Sequence, residues 1–312
     1  MMERVVAVVG STGVGKTDLA IAAGRELAGE IVSVDSRLLY RGMDIGTAKP
    51  SPAQRAAVPH HLIDVADPDE AWSLGRFRQA VLDAVQGILG RRRVPILVGG
   101  SGQYMTAILD GWSPPAWPPD AGIRRKWAEF TSAHGAPALH AQLRAVDPAA
   151  AERIDSRNVR RVIRALEVYE LSGGPGSGQP ARANVPFEAI RIGLRLPRPE
   201  LYVRLDARLE RMLADGLVEE VRSLRARGYG RDLPSMSAIG YRQIAAYLDG
   251  EISLEQAVAQ VRQATRRFVR HQANWFRTDD HRWSWFEPRP GYEADVLAYL
   301  ASVLAMSRVS KS

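Results

Sequence analysis

The segment Gly10-Ser11-Thr12-Gly13-Val14-Gly15-Lys16-Thr17 constrains the fold of this chain more than any other stretch. An apolar run, Val5–Val9, precedes it, and a helical stretch from about Lys16 to Leu27 follows. Spaced glycines, a lysine and a hydroxyl, set between a strand and a helix, make the pattern of a phosphate-binding loop. The glycines let successive backbone N–H groups turn inward toward phosphate oxygens, and the helix N-terminus adds its partial positive charge. Lys16 brings a mobile full charge, and Thr17 a hydroxyl able to ligate Mg²⁺. A diphosphate or a triphosphate is the expected ligand; the loop alone does not say which.

The rest of the first 110 residues repeats the alternation. Ile31–Val34 is a short strand ending at Asp35-Ser36, Leu74–Leu89 a long helix, and Val94–Val98 a third strand closed by Gly99-Gly100. Strand, crossover helix and strand predict an α/β fold, a P-loop parallel sheet core with helices on both faces. Ligands of such sheets sit at the carboxyl ends of the strands, so Gly10, Asp35 and Ser101 are expected around one crevice. Composition shifts at WSPPAWPP, Trp112–Pro119, whose prolines stop any helix. A helical, arginine-rich block spans about Ala121 to Ser172, and GGPGSGQP, Gly173–Pro180, reads as a loop. Ala189–Leu196 alternates apolar and basic residues, a strand returning to the sheet. Residues 1–111 and 187–312 are therefore expected to form the core, with 112–186 a helical insertion domain. Further on, one helix is expected around Asp206–Ala226. Another begins at Ser253, whose hydroxyl and Gln256 fit a capping box, and runs to about Phe276.

Composition sets the outer limits. The chain carries no cysteine, which excludes disulfides, thiolate metal sites and a cysteine nucleophile. No apolar run approaches the roughly 20 residues needed to span a bilayer. The opening MMERVVAVVG reads as a buried strand in place of a secretory signal, so a cytoplasmic protein, without membrane attachment and monomeric, is expected. A net charge of +7 is compatible with a polyanionic partner.

Proteins that hydrolyse nucleotides with such a loop hold Mg²⁺ through an aspartate ending an apolar strand. Here the obvious strand, PILVGG, ends in glycines; Asp35 (IVSVD) and Asp64 (HLID) are the alternatives. No switch loops or sensor residues point to an energy-transducing ATPase. A small-molecule kinase, a nucleotide-gated RNA-binding module and a transferase acting on a diphosphate leaving group all remain open at this point.

Longer blocks narrow the choice. VDSRLLYRGMDIGTAKP (Val34–Pro50), PHHLIDV (Pro59–Val65), VGGSGQY (Val98–Tyr104), NVRRVIRALEVYELSG (Asn158–Gly173), AIGYRQ (Ala238–Gln243) and ATRRFVRHQANWFR (Ala264–Arg277) occur in this order. Together they resemble the motifs of the tRNA dimethylallyltransferases, across roughly residues 5–277, and the DIGTAKP string is the most specific. The resemblance implies transfer of a dimethylallyl group from dimethylallyl diphosphate to the exocyclic amine of the adenosine beside the anticodon, with Mg²⁺ as cofactor. A relative acting on free adenine nucleotide is the runner-up, but a helical insertion and arginine rows are superfluous for so small a substrate.

The same resemblance assigns roles. Asp35 becomes the base that takes a proton from the amine, whose delocalised lone pair makes it a poor nucleophile. Ser101 stands where the family usually has threonine and orients Asp35 or the amine. The loop Gly10 to Thr17, with Lys16, is expected to hold the diphosphate and Thr17 the metal, and the resemblance adds Arg208 as a diphosphate contact. Ser11 replaces a common family proline, and Leu38 stands where many members carry glutamine. The tRNA anticodon stem-loop is expected to meet Asp35, Ser36, Arg37, Leu38, Ser101, Arg124, Arg160, Arg161, Arg164 and Gly240-Tyr241-Arg242. Tyr241 would offer its ring to an unstacked base. Arg157, Arg161 and Arg164 share a helical face with Arg160 beside it. A second row, Arg262, Arg266 and Arg270, reads as a further phosphate-contacting surface. His60-His61 is not expected to bind metal, since neighbours on a strand point to opposite faces, and Trp275 is expected to pack in the core of the last long helix.

Overall fold

Strand β1 (Glu3–Gly10) is buried from Val5 to Gly10, as its run of valines requires of a strand covered on both faces. The computed structural model describes residues 3–112, 117–175 and 183–309. From β1 the chain passes through the phosphate-loop segment into α1 (Lys16–Glu26) and returns as β2 (Gly29–Ser33). There follow α2 (Pro52–Ala57), β3 (His60–His61), α3 (Leu74–Gly90), β4 (Val94–Gly99) and α4 (Gly102–Leu109). After α5 (Ala121–Val146), α6 (Pro148–Arg153) and α7 (Val159–Ser172), β5 (Phe187–Leu194) rejoins the sheet. The remainder is α8 (Arg198–Ala214), α9 (Leu217–Ala226), α10 (Tyr241–Leu248), α11 (Leu254–Ala273), β6 (Ser284–Phe286) and α12 (Tyr292–Val309).

The sheet has the order β3-β2-β4-β1-β5-β6, and every pairing is parallel. Side chains alternate across it with period two. Val5, Ala7 and Val9 face a layer containing Phe77, Val81 and Val85 of α3 and Ile244 of α10. Val6 and Val8 face the other layer, with Leu19 and Ala20 of α1, Leu201 and Leu205 of α8 and Val296 of α12. Helices thus cover both faces, as the alternation predicts. The expected helix over Asp206–Ala226 is instead two: α8 ends at Ala214, and Gly216, with φ 99°, turns the chain into α9. The capping box at Ser253 and Gln256 forms as its spacing predicts.

The chain divides into two compact units, 1–109 with 185–312, and 110–184. The second unit has its own core, in which Leu139 and Leu143 of α5 meet Val162 and Leu166 of α7. Its helices start on the side chains of Asp120, Asp147 and Asn158, each accepting a backbone N–H of the first turn. Among the described residues no helix is long and apolar enough to cross a membrane.

Candidate active site

Because β1, β2 and β4 run parallel and adjacent, their carboxyl ends bring the phosphate loop, Asp35 and Ser101 to one edge. Gly13 and Gly15 take positive φ (80° and 101°), which opens the loop before α1. The Lys16 ammonium folds over it, donating to the Ser11 carbonyl at 2.8 Å. Burial lowers the Lys16 pKa to about 8, with the nearby Asp35 charge raising it in part and Arg208 lowering it. Burial likewise depresses Arg208, against the pull of Asp35. The Asp35 carboxylate accepts the backbone N–H of Arg37 at 2.9 Å, which fixes its direction at the strand tip.

Two cavities adjoin here. The larger, about 510 Å³, is lined by Gly13, Gly15, Lys16, Thr17, Asp18, Leu38 and Gly100, and by Arg204, Arg208 and Arg211 from α8. The other, about 350 Å³, has Ser36, Arg37 and Ser101 at one side and an apolar wall of Leu205, Leu209, Met212, Leu217, Ile239, Val261 and Phe268. Thr12, Asp35, Thr47 and Arg208 line both. The arrangement therefore sets an anion cradle beside an apolar chamber, with one carboxylate at their junction. The apolar wall was not anticipated from sequence, since its residues come from α8, α9, α11 and the turn before α10. Arg204 and Arg211 join Arg208 on the cradle at spacings of four and three along the helix.

The loop carrying Thr47 is held by groups that sequence reading overlooked or misread. Glu220 of α9 accepts the backbone N–H groups of Asp44 (2.8 Å), Ile45 (2.7 Å) and Gly46 (3.1 Å), and the Tyr241 hydroxyl at 2.5 Å. Tyr241 is fully buried, its ring against Gly46, where a Cβ would lie 2.5 Å from it. Burial, and then the Glu220 charge, raise the Tyr241 pKa. The ring expected to stack on an RNA base is thus part of the core, because its hydroxyl can satisfy a half-buried carboxylate only from inside. Gly240 is buried beside it, and Arg242 alone of the three is exposed. Glu220→Ala leaves three N–H groups without their acceptor, and is expected to lower kcat/KM about 10- to 100-fold by displacing Thr47. Steady-state kinetics beside a melting curve checks this.

The structure gives partners to other residues singled out from the sequence. The Arg37 guanidinium donates to the carbonyl of Pro234 (2.6 Å) and to Ser237 Oγ (3.1 Å), so it ties the strand-end loop to the wall. In the second unit Glu167, wholly buried, holds both Arg124 (2.8 Å) and Arg164 (2.6 Å). Burial pushes the Glu167 carboxyl up, but those partners more than offset it and the net shift is down. Arg160 and Arg161 are exposed, whereas Arg157 is paired with Asp155. Most of the second arginine row is paired within the fold: Arg266 pairs with Asp206 at 2.7 Å and Arg262 with Glu210, while Arg270, and Arg267 beside the row, are exposed. Asp64 is unsuited to a metal, since Lys49 and Arg55 take both its oxygens. His60 bonds to the Val58 carbonyl and His61 to Glu30. Trp275 is 42% exposed, while its neighbour Phe276 enters the core.

Fold and site together define an α/β protein with a glycine-rich loop at a strand end, and with a cationic cavity beside an apolar one. The chain belongs to the IPP transferase family, whose model matches residues 38–279. It is similar to a tRNA dimethylallyltransferase of Roseiflexus sp. (strain RS-1), 52% identical over 276 residues, 88% of this chain and 90% of that one. A tRNA dimethylallyltransferase of Chloroflexus aurantiacus is 50% identical over 291 residues, 93% of this chain and 98% of the other. Among solved structures, the full-length tRNA isopentenylpyrophosphate transferase of Bacillus halodurans superposes with a TM-score of 0.74 at 36% identity. That match covers 99% of this chain and 100% of the other.

Proposed function

We propose that this protein transfers the dimethylallyl group of dimethylallyl diphosphate to the N6 amine of the adenosine on the 3′ side of the anticodon in tRNA. The observation that carries the reading is the junction at Asp35, shared by the anion cradle and the apolar chamber. A diphosphate bearing a five-carbon chain has those two halves, and its reacting carbon lies where they meet. Relatives about half identical over nearly their whole length carry the corresponding name.

The reaction follows from the residues. The carbon–oxygen bond of the allylic diphosphate breaks, and its electron pair leaves with the diphosphate. The amine nitrogen bonds to that carbon, and the proton it loses passes to Asp35. Lys16, Arg208 and the backbone N–H groups of the loop stabilise the charge growing on the leaving group. Ser101 directs the amine or Asp35 through its hydroxyl. Thr17, in the cradle with Lys16, is the residue to hold Mg²⁺, and among the described residues no cluster of carboxylates or histidines competes for it. That donor set fits an ion held mainly by phosphate oxygens and water. When bound, Mg²⁺ neutralises charge on the diphosphate.

The adenosine must leave the anticodon-loop stack to reach the chamber. Arg160 and Arg161, exposed on α7, position the RNA through its phosphates, while Arg124 and Arg164 serve chiefly to hold the second unit together through Glu167. Replacing Arg160 and Arg161 by alanine is expected to weaken tRNA binding and flatten its salt dependence, by about 0.7–0.9 in log–log slope per lost contact. An unaltered slope would remove this surface from the interface.

Incubation with radiolabelled dimethylallyl diphosphate, Mg²⁺ and unmodified tRNA, with AMP and ATP supplied in parallel reactions, tests the function itself. Label is expected in tRNA. Label in free adenine nucleotide would make the protein an adenylate isopentenyltransferase, and turnover of ATP without label in either would make it a kinase.

A further inference from the structure

The block Ala264–Arg277 contains one side chain that neither the phosphate chemistry nor the arginine surface accounts for. Gln272, on the last turn of α11, is 3% exposed and reaches between two strand-end loops. Its Oε1 accepts the backbone N–H of Thr12 at 2.9 Å, and its Nε2 donates to the backbone carbonyl of Gly100 at 2.9 Å. The pairing of β1 with β4 ends at Val9 and Gly99. Beyond that rung the ladder pairing stops, and one strand leads into the phosphate loop and the other toward Ser101. Gln272 supplies from one planar head the acceptor and the donor that the ladder no longer provides. Its orientation is fixed by chemistry, since an N–H requires the oxygen and a carbonyl requires the amide nitrogen. Gly100 has no room for a side chain there, because a Cβ would collide with Gln272 Nε2.

We infer that Gln272 is a positioning residue, which sets the separation between the diphosphate cradle and the Ser101 loop without touching substrate. This rests on the transferase reading given above. Both loops border the cavities, and Thr12 lies on the boundary of the two. The reacting carbon must stand within attacking distance of the amine while its diphosphate stays in the cradle, and a misplacement of about 1 Å costs on the order of 10²-fold in rate. A bridge between the two loops is therefore a determinant of rate as well as of binding.

Two variants and two substrates test it. Gln272→Leu removes both bonds at similar volume. Its KM for dimethylallyl diphosphate is expected to rise and its kcat to fall, each about tenfold, for a combined loss on the order of 10², while the KM for tRNA stays near the wild-type value. Gln272→Glu reproduces the amide only when protonated, because the ionised carboxylate cannot donate to the Gly100 carbonyl and adds charge beside the diphosphate. Its activity relative to wild type is therefore expected to recover as pH falls. A folded Gln272→Leu protein with unchanged constants for the diphosphate, or with both substrates weakened equally, overturns the inference. So does a Gln272→Glu pH profile parallel to wild type, which also serves should the leucine variant not fold. Failure of the wild-type protein to prenylate tRNA would instead overturn the functional reading beneath it.

Discussion

Asp35→Asn is expected to lower the single-turnover rate of prenyl transfer by about 10²–10⁴, the usual contribution of a positioned general base. Affinity for tRNA should hardly change. Asparagine keeps an oxygen to accept the Arg37 N–H that orients the wild-type side chain. Local geometry is therefore preserved and only the capacity to take the proton is lost. The amine cannot retain that proton once its nitrogen has bonded to carbon, so the loss falls on the chemical step. Single-turnover transfer with saturating tRNA measures the rate, and filter binding measures the affinity. A variant with a near-normal rate would remove Asp35 from the mechanism and leave it as a structural residue of the strand tip.

Lys16→Ala is the second large effect, about 10²–10³ in kcat/KM for dimethylallyl diphosphate, comparable to removing one charge-stabilising donor from an enclosed site. The wild-type lysine makes a sharper prediction through pH. Burial lowers its pKa to about 8 in the unliganded protein. A bound diphosphate favours the ammonium form, so binding above that pH draws in a proton. The apparent affinity should thus hold below about 8 and fall as pH rises through it, approaching tenfold per unit. The KM for the diphosphate measured from about pH 7 to 9.5 checks this, and Lys16→Arg, charged throughout, should flatten the curve. A flat wild-type profile would place Lys16 away from the diphosphate. For folding the sign follows from the same shift. The folded state binds this proton less readily than the unfolded chain, so the Lys16 contribution to stability improves as pH rises from about 8 toward the ordinary lysine value of 10.5. Near neutral pH the lysine opposes folding, and a bound diphosphate relieves that opposition.

Two carboxylates, one buried and one half-buried, divide the labour between stability and function. Glu220 and Glu167 each gather donors from segments far apart in sequence, and each leaves unpaired groups if removed. Glu220 acts on the loop beside Asp35, whereas Glu167 acts within the second unit. Substituting the first should show mainly in kinetics, and substituting the second mainly in the folding of that unit.

Local chemistry determined much of this from the sequence alone. A valine run, a glycine loop and a lysine permit only strand, anion cradle and helix, and the alternation that follows implies a parallel sheet with its ligands at one edge. Asp35 and Ser101 were legible as residues of the strand-end crevice because strand ends can be read from short-range patterns. What lies across the crevice could not be read so. Leu205, Leu209, Val261 and Phe268 look like ordinary core residues on amphipathic helices, and only packing turns them toward a chamber. Tyr241 and Arg262 look like surface groups for RNA, yet Glu220 and Glu210 claim them from other helices. Gln272 has no local signature, since the two atoms it joins are 260 and 172 residues away along the chain. Short-range pattern is written in neighbouring residues, whereas the partner of a buried polar group is chosen by which distant segments the folded core brings within hydrogen-bond reach.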